Sequence, residues 1–135
     1  MRIKEVALKN FRNIKQMSIF PDENTNIIFG NNAQGKTNLL ESIWLFTGGR
    51  SFRGSKDGDL IYFSEDKADL KMSFNAQQRD QLAHIEIAKN NKRLILNGVD
   101  RGRTSAMIGK FCAVIFSPVH LALIKDGPNL RRKFI

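Results

Sequence analysis

Eight residues, Gly30-Asn31-Asn32-Ala33-Gln34-Gly35-Lys36-Thr37, follow the pattern G-x-x-x-x-G-K-[ST]. This pattern demands a particular local fold: a strand enters a tight loop, a helix leaves it, and inward-turned backbone N–H groups surround a phosphate. The flanks read that way. Ile27-Ile28-Phe29 is an apolar run suited to the entering strand. The residues that follow read as an amphipathic helix, with Leu39, Leu40, Ile43 and Trp44 on one face and Glu41 and Ser42 off it. Gly48-Gly49 supplies a helix stop. Gly30 and Gly35 permit turns and a close approach that a Cβ would block. Lys36 places a point charge at the β- and γ-phosphates, the Thr37 hydroxyl is a ligand for Mg²⁺, and Asn38 follows at the helix start. A nucleoside triphosphate is the implied ligand. Two other nucleotide motifs are excluded: a dinucleotide fingerprint needs glycine at Asn32, and Asn91-Lys92-Arg93 runs into Leu94, so no guanine-specific N-K-x-D is formed.

The 135 residues suit one domain, and 41% hydrophobic content is enough for a real core. Ten Phe against one Trp and one Tyr predict a phenylalanine-filled interior. Cys112 lies in the apolar run Phe111–Phe116, which predicts a buried, unpaired thiol and a reducing compartment. His84 and His120 lie far apart with no ligand-spaced cluster beside them, which argues against a metal centre. No apolar run reaches transmembrane length and the opening residues do not form a signal peptide, so a cytoplasmic protein with no membrane partner is expected. The net charge of +9 favours a polyanionic partner, nucleic acid before anionic membrane. The excess is uneven. Arg50, Arg53 and Lys56 follow the helix, and Lys89, Lys92, Arg93, Arg101, Arg103 and Lys110 crowd a later segment.

Along the chain, Arg2–Leu8 and Ile14–Phe20 read as strands joined by a turn at Asn10-Phe11-Arg12-Asn13. Residues 49–59 are glycine-rich and basic, with no period. Antiparallel strands are expected at Asp69–Asn75, Leu82–Lys89 and Lys92–Leu96, with turns at Asn90-Asn91 and Asn97-Gly98. Thr104–Gly109 suggests a short helix and Ala113–Phe116 a buried strand. Ser117-Pro118 would start another helix, Val119–Lys125, broken by Gly127-Pro128. The fold class expected is α/β, mixed α+β: a P-loop unit combined with an antiparallel meander, which the family resemblance given below makes one half of an ABC/SMC-type ATPase head.

Hydrolysis at a P-loop also needs an acid at the end of a second strand. Leu60-Ile61-Tyr62-Phe63 is followed by Ser64-Glu65-Asp66, so the carboxylates come one step late, and Ala113–Phe116 ends in Ser-Pro. Leu130-Arg131-Arg132-Lys133-Phe134-Ile135 begins a helical pattern and stops without a cap. The expectation is that residues 1–135 hold one half of an ATP site; the resemblance described next implies that this half is the N-terminal portion of one ATPase head, with the second acidic motif and the signature motif in the other half.

Several segments together resemble the RecF recombination-mediator family: Leu8-Lys9-Asn10-Phe11-Arg12-Asn13-Ile14, Gly30 through Glu41, Gly49-Arg50-Ser51-Phe52-Arg53, Phe116-Ser117-Pro118, and Gly127-Pro128-x-x-Arg131-Arg132. The resemblance keeps motif order along nearly the whole chain. It implies a bacterial cytoplasmic protein whose ATPase head is split between two halves of a longer chain. ATP with Mg²⁺ would drive formation of a homodimer with slow, DNA-dependent hydrolysis, and this part alone would be inactive. The dimer would bind DNA at single-strand/double-strand junctions. With RecO and RecR it would act in gap repair, replication restart and the SOS response. Arg12 matches a phosphate-contacting position, and Arg50, Arg53, Arg131 and Arg132 become DNA or dimer candidates. Three features depart from the pattern: Val119-His120 replaces an acidic pair, Asp126 stands where glycine is usual, and Phe116-Ser117-Pro118 stands where chromosome-maintenance relatives carry a Mg²⁺-sensing Gln. Alternatives from other classes are another chromosome-maintenance-type ATPase, a P-loop small-molecule kinase with Arg50–Lys56 as its lid, and a binding module acting through its basic face alone.

Overall fold

Alternating apolar and polar residues dominate the middle of the chain, and alternation at a period of two builds a sheet with one wet face. The computed structural model describes residues 1–116. Among them, six strands form one antiparallel sheet: β1 (Arg2–Phe11), β2 (Ile14–Ile19), β3 (Lys67–Ala76), β4 (Arg79–Ala88), β5 (Asn91–Leu96) and β6 (Val99–Gly102). Their spatial order is β2-β1-β3-β4-β5-β6. One helix, α1 (Lys36–Leu45), and two 3-10 turns, Asp57–Leu60 and Thr104–Met107, complete the described elements. Ser117-Pro118, Val119, His120, Asp126, Arg131 and Arg132 lie outside the described residues.

The sheet's dry face carries Val6 and Leu8 from β1, Leu70, Met72 and Phe74 from β3, Ile85 and Ile87 from β4, and Leu94 from β5. Leu39, Leu45 and Phe46 of the α1 region belong to the same core, as do Leu60, Met107 and Phe111. Phe74 and Phe111 meet edge to face with centroids 5.4 Å apart, a geometry that aromatic quadrupoles favour. The phenylalanine interior is only partly realised: Phe11, Phe46, Phe74 and Phe111 are buried, whereas Phe20, Phe29, Phe63 and Phe116 are exposed.

The expected hairpins form, with one turn displaced. Asn97-Gly98 connects Leu96 to Val99, and both residues take positive φ as a primed two-residue turn requires. Ala88 pairs with Asn91, so the preceding turn is Lys89-Asn90 and not Asn90-Asn91. Between β3 and β4 the turn is Gln77-Gln78, at φ 52° and 60°.

Two apolar runs expected as strands are not strands. Residues 25–30 and 112–116 have no regular structure. Ile27 is 82% exposed, Phe29 88% and Val114 100%, and Cys112 is exposed where a buried thiol was expected. An extended run becomes a strand only when a neighbour takes its N–H and C=O groups, and no described strand lies beside either run.

The face of α1 also differs from expectation. Leu39, Glu41, Ser42 and Leu45 are buried, Ile43 and Trp44 are half-buried, and Leu40 is exposed. Periodicity assigns Glu41 to solvent because it scores charge and not pairing. Here the carboxylate enters the interior with its counter-ion, a basic side chain from the β1–β2 turn.

Candidate functional site

The β1–β2 turn holds the glycine-rich loop in place. Asn13 donates from Nδ2 to the Ala33 carbonyl at 2.8 Å, and its Oδ1 accepts from Asn38 Nδ2 at 2.8 Å. Gly30, Ala33 and Gly35 take φ of 143°, 64° and 95°. Gly35 is doubly constrained: a Cβ there would meet Asn13 Oδ1 at 3.0 Å and Ile14 Cγ1 at 3.3 Å. Glycine is therefore required by backbone conformation and by close packing at once.

Gly35 caps the N-terminus of α1 with no side-chain hydrogen bond, and no acidic residue lies in the first turn. The first N–H groups of a helix have no intrahelical acceptor, and together they carry about half a positive charge. Gly30, Asn31, Asn32, Ala33 and Gln34 are exposed around this end, Thr37 is exposed, and Lys36 and Asn38 are half-buried. Lys36 Nζ donates to the carbonyls of Gly30 and Asn31 at 2.7 and 2.6 Å. The ammonium thus stays at the loop mouth, hydrogen-bonded to neutral acceptors that an anion would displace. This donor set fits a polyphosphate. Thr37 offers one hydroxyl oxygen for Mg²⁺, which ordinarily completes its octahedron with phosphate oxygens and waters.

Beneath the loop lies a buried ion cluster that the sequence pattern does not announce. Glu41 is 0% exposed. Arg12 donates to it from Nε at 3.0 Å and from Nη2 at 2.9 Å. The remaining Arg12 donors reach Ser55 Oγ at 2.6 Å and the Asp59 carbonyl at 3.0 Å. Ser51 Oγ donates to Glu41 Oε1. Arg53 Nη1 lies 3.7 Å from Glu41 Oε2 and donates to Asn38 Oδ1 at 2.8 Å. Arg12 and Arg53, both picked from sequence as ligand-contacting residues, are therefore tied to the P-loop helix through Glu41. Arg50 stands apart: it is exposed, and its carbonyl accepts from Trp44 Nε1 at 3.0 Å. No periodicity signals this cluster, because its members come from a turn, a helix and an irregular loop.

The strand register brings Asp69, His84 and Glu86 within 4.8 Å of one another on the sheet. Glu86 already accepts from Arg93 Nε at 2.7 Å, and Asp69 Oδ1 lies 3.0 Å from His84 Nε2. The trio is part of an ion-pair ladder across the strands.

Comparison with known proteins places this geometry among relatives. The family model described as RecF/RecN/SMC N terminal domain matches residues 2–110. The DNA replication and repair protein RecF of Clostridium tetani (strain Massachusetts / E88) is 41% identical over 136 aligned residues, covering 100% of this chain and 37% of that protein. Its counterpart in Thermoanaerobacter sp. (strain X514) is 44% identical, covering 100% of this chain and 38% of its own length. The chain thus spans little more than a third of the curated relatives it matches. A solved structure of the recombination mediator protein RecF-ATP in the RecFOR pathway superposes with TM-score 0.89 at 40% identity, covering 98% of this chain and 36% of that one. The SMC head domain from Thermotoga maritima, at 20% identity and TM-score 0.66 over 83% of this chain and 43% of its own, shares the fold. The described antiparallel sheet and helix are the corresponding half of an ABC/SMC-type ATPase head. Among the described residues no helix is long and apolar enough to cross a membrane.

Proposed function

Because the chain belongs to the RecF/RecN/SMC N-terminal-domain family, we propose that it is the ATP-binding part of a RecF-type DNA repair protein. The observation that carries this reading is the uncapped N-terminus of α1, wrapped by Gly30–Gly35 and faced by Lys36. Backbone N–H groups of the loop and first turn bind the phosphates, Lys36 neutralises the β/γ charge, and Thr37 contributes its hydroxyl to Mg²⁺. Asn38 and Asn13 hold the loop to the sheet. Arg12 acts on the nucleotide through position: its donors are engaged by Glu41, Ser55 and Asp59.

Glu41, the carboxylate nearest in sequence, is committed to Arg12. The acid required for hydrolysis therefore comes from outside this loop and helix. By family likeness the protein works in the cytoplasm as an ATP-dependent homodimer on DNA at single-strand/double-strand junctions, with RecO and RecR, in gap repair, replication restart and the SOS response. Arg50 and Arg53, together with Arg131 and Arg132 outside the described residues, are the nucleic-acid candidates from sequence.

A fluorescent ATP analogue titrated with Mg²⁺ into the protein and its Lys36→Ala variant tests the reading. Losing a charge-assisted contact worth about 1.5–3 kcal/mol should weaken binding about 10- to 150-fold. Equal affinity in a variant that melts like the parent would overturn it.

A further inference from the structure

We infer that Asp69, His84 and Glu86 form a site for a divalent transition-metal ion of the Zn²⁺ type on the solvent face of the sheet. The inference stands apart from the nucleotide site and from the DNA-repair reading. Three ligating atoms, one from each side chain, already lie within 4.8 Å of one another.

Strand register explains the convergence. His84 and Glu86 are two apart on β4 and so share a face. Asp69 of β3 is the direct cross-strand partner of Glu86 and the diagonal neighbour of His84. Two residues at i and i+2 on one strand, with a third facing them, gather three side chains over one point of the sheet. Asp69 and His84 are 15 residues apart in the chain, so no ligand spacing shows in the sequence. His84 and Asp69 keep 19% of their side-chain surface exposed and Glu86 27%, which leaves an ion access and removes much of the competing water.

The donor set decides the class of ion. One imidazole nitrogen and two carboxylates suit Zn²⁺, which takes both kinds of ligand, better than Mg²⁺ or Ca²⁺, which favour oxygen alone. Asp69 Oδ1 stands 3.0 Å from His84 Nε2. Two ligands of a tetrahedron with bonds of about 2.0 Å sit about 3.3 Å apart, so this edge is nearly in place. Glu86 closes the remaining gap by rotation of its side chain. His84 binds through Nε2 with its ring proton on Nδ1. Three protein ligands leave a fourth position for water. Asp69 also lines a groove of roughly 410 Å³ with Lys9, Gln16 and Ser18, which opens the cluster to solvent and ions.

Charge supplies an independent reason. Carboxylates directly opposite each other on a ladder repel, and a cation between them relieves this. Arg93 does so from the Glu86 side, at 2.7 Å. It also reaches Asp100 at 3.4 Å, so it keeps an acidic partner when Glu86 turns to a metal. Lys67 lies 3.8 Å from the second Asp69 oxygen and is 65% exposed, a pairing of little strength. Lys9 and Lys71 stand opposite Asp69 and His84 on the neighbouring strands, and both are exposed, where salt screens them. These cations lower the affinity without occupying a ligand atom, so the site is weaker than a four-ligand structural zinc site.

Zn²⁺ titrated into the full chain against a chromophoric zinc indicator, without nucleotide, tests the assignment. The parent for this experiment carries Cys112→Ser/His120→Ala, which removes the other thiol and imidazole of the sequence. One equivalent should bind. His84→Ala, Asp69→Asn and Glu86→Gln should each weaken binding by at least the roughly 10- to 100-fold that outer-shell substitutions cost. Imidazole ¹⁵N NMR should show His84 Nε2 taking the metal while Nδ1 keeps its proton. Saturating Zn²⁺ should raise the Tm of the parent and leave that of His84→Ala unmoved; melts without metal check that each variant is folded. Unchanged affinity in a folded His84→Ala variant would overturn the site. Displacement of Zn²⁺ by an equal concentration of Mg²⁺ would overturn it in favour of a carboxylate-only cation site. No binding by the parent would leave the trio as an ion-pair ladder and nothing more.

Discussion

Glu41 shows how one residue can be misjudged by pattern and explained by chemistry. A carboxylate with no exposed surface is tolerated because Arg12 meets it with two parallel hydrogen bonds, the geometry that makes guanidinium–carboxylate pairs strong. Removing one partner strands the other charge, which in buried pairs costs about 3–5 kcal/mol. Glu41→Ala should destabilise the protein by that order in urea unfolding. The double variant Arg12→Met/Glu41→Leu should recover most of the loss, since apolar replacements of both partners leave no orphan charge. Equal destabilisation by the single and double variants would rule out the pair as the cause. Gly35 is a second residue-scale test. At φ 95°, with Asn13 Oδ1 3.0 Å from where a Cβ would sit, Gly35→Ala should cost about 1–3 kcal/mol of strain and weaken nucleotide binding. Gly30→Ala, whose Cβ meets nothing within 4 Å but whose φ of 143° an L side chain rarely adopts, should show the backbone cost alone, without the packing clash. Chemical denaturation of the two variants side by side decides this.

At the scale of elements, the β3–β4 hairpin carries a correctable defect. Gln77 and Gln78 both sit in the left-handed region, where a side chain costs about 1–2 kcal/mol. Gln78→Gly should raise stability by about 0.5 kcal/mol after glycine's greater unfolded-state entropy is subtracted, seen as a rise in Tm. Next to this turn, a hydrogen bond from Lys4 and then one from Asn75 hold the Asp80 carboxyl below its ordinary 3.8. A depressed carboxyl contributes stability that is fully present above 3.8 and lost as the pH falls through its lower folded value. Lys4→Ala should move the Asp80 titration, followed by carboxyl NMR, back toward 3.8; an unmoved titration would show that Lys4 does not set it. The pair joins β1 to the start of β4 across β3 at an exposed site, so its effect belongs to local register more than to global stability.

At the scale of the whole molecule, the two runs that did not become strands contribute much of the apolar exposure among the described residues, alongside Phe20 and Phe63. Ile27, Phe29, Val114 and Phe116 each show more than four-fifths of their surface, a density at which side chains normally find a partner or self-associate. Ile27→Lys/Phe29→Lys should reduce light scattering by the purified chain while leaving its Tm unchanged, because neither side chain belongs to the described core. A lowered Tm would show that the run contributes to the fold after all.

The sequence alone determined whatever depends on local spacing. The P-loop, the stop at Gly48-Gly49, the three central strands and the Asn97-Gly98 turn are all written in neighbouring residues, and each acts through short-range sterics and hydrogen bonding. Tertiary structure decided where the chain meets itself. Ile27–Phe29 and Ala113–Phe116 have strand-like composition, yet pairing is a property of neighbours, and no described strand borders them. Arg12 and Glu41 are 29 residues apart, and Arg50 and Arg103 share a cleft only because β5 and β6 bring the later turn alongside the loop after α1. Electrostatic energy depends on distance through space, and distance along the chain does not report it.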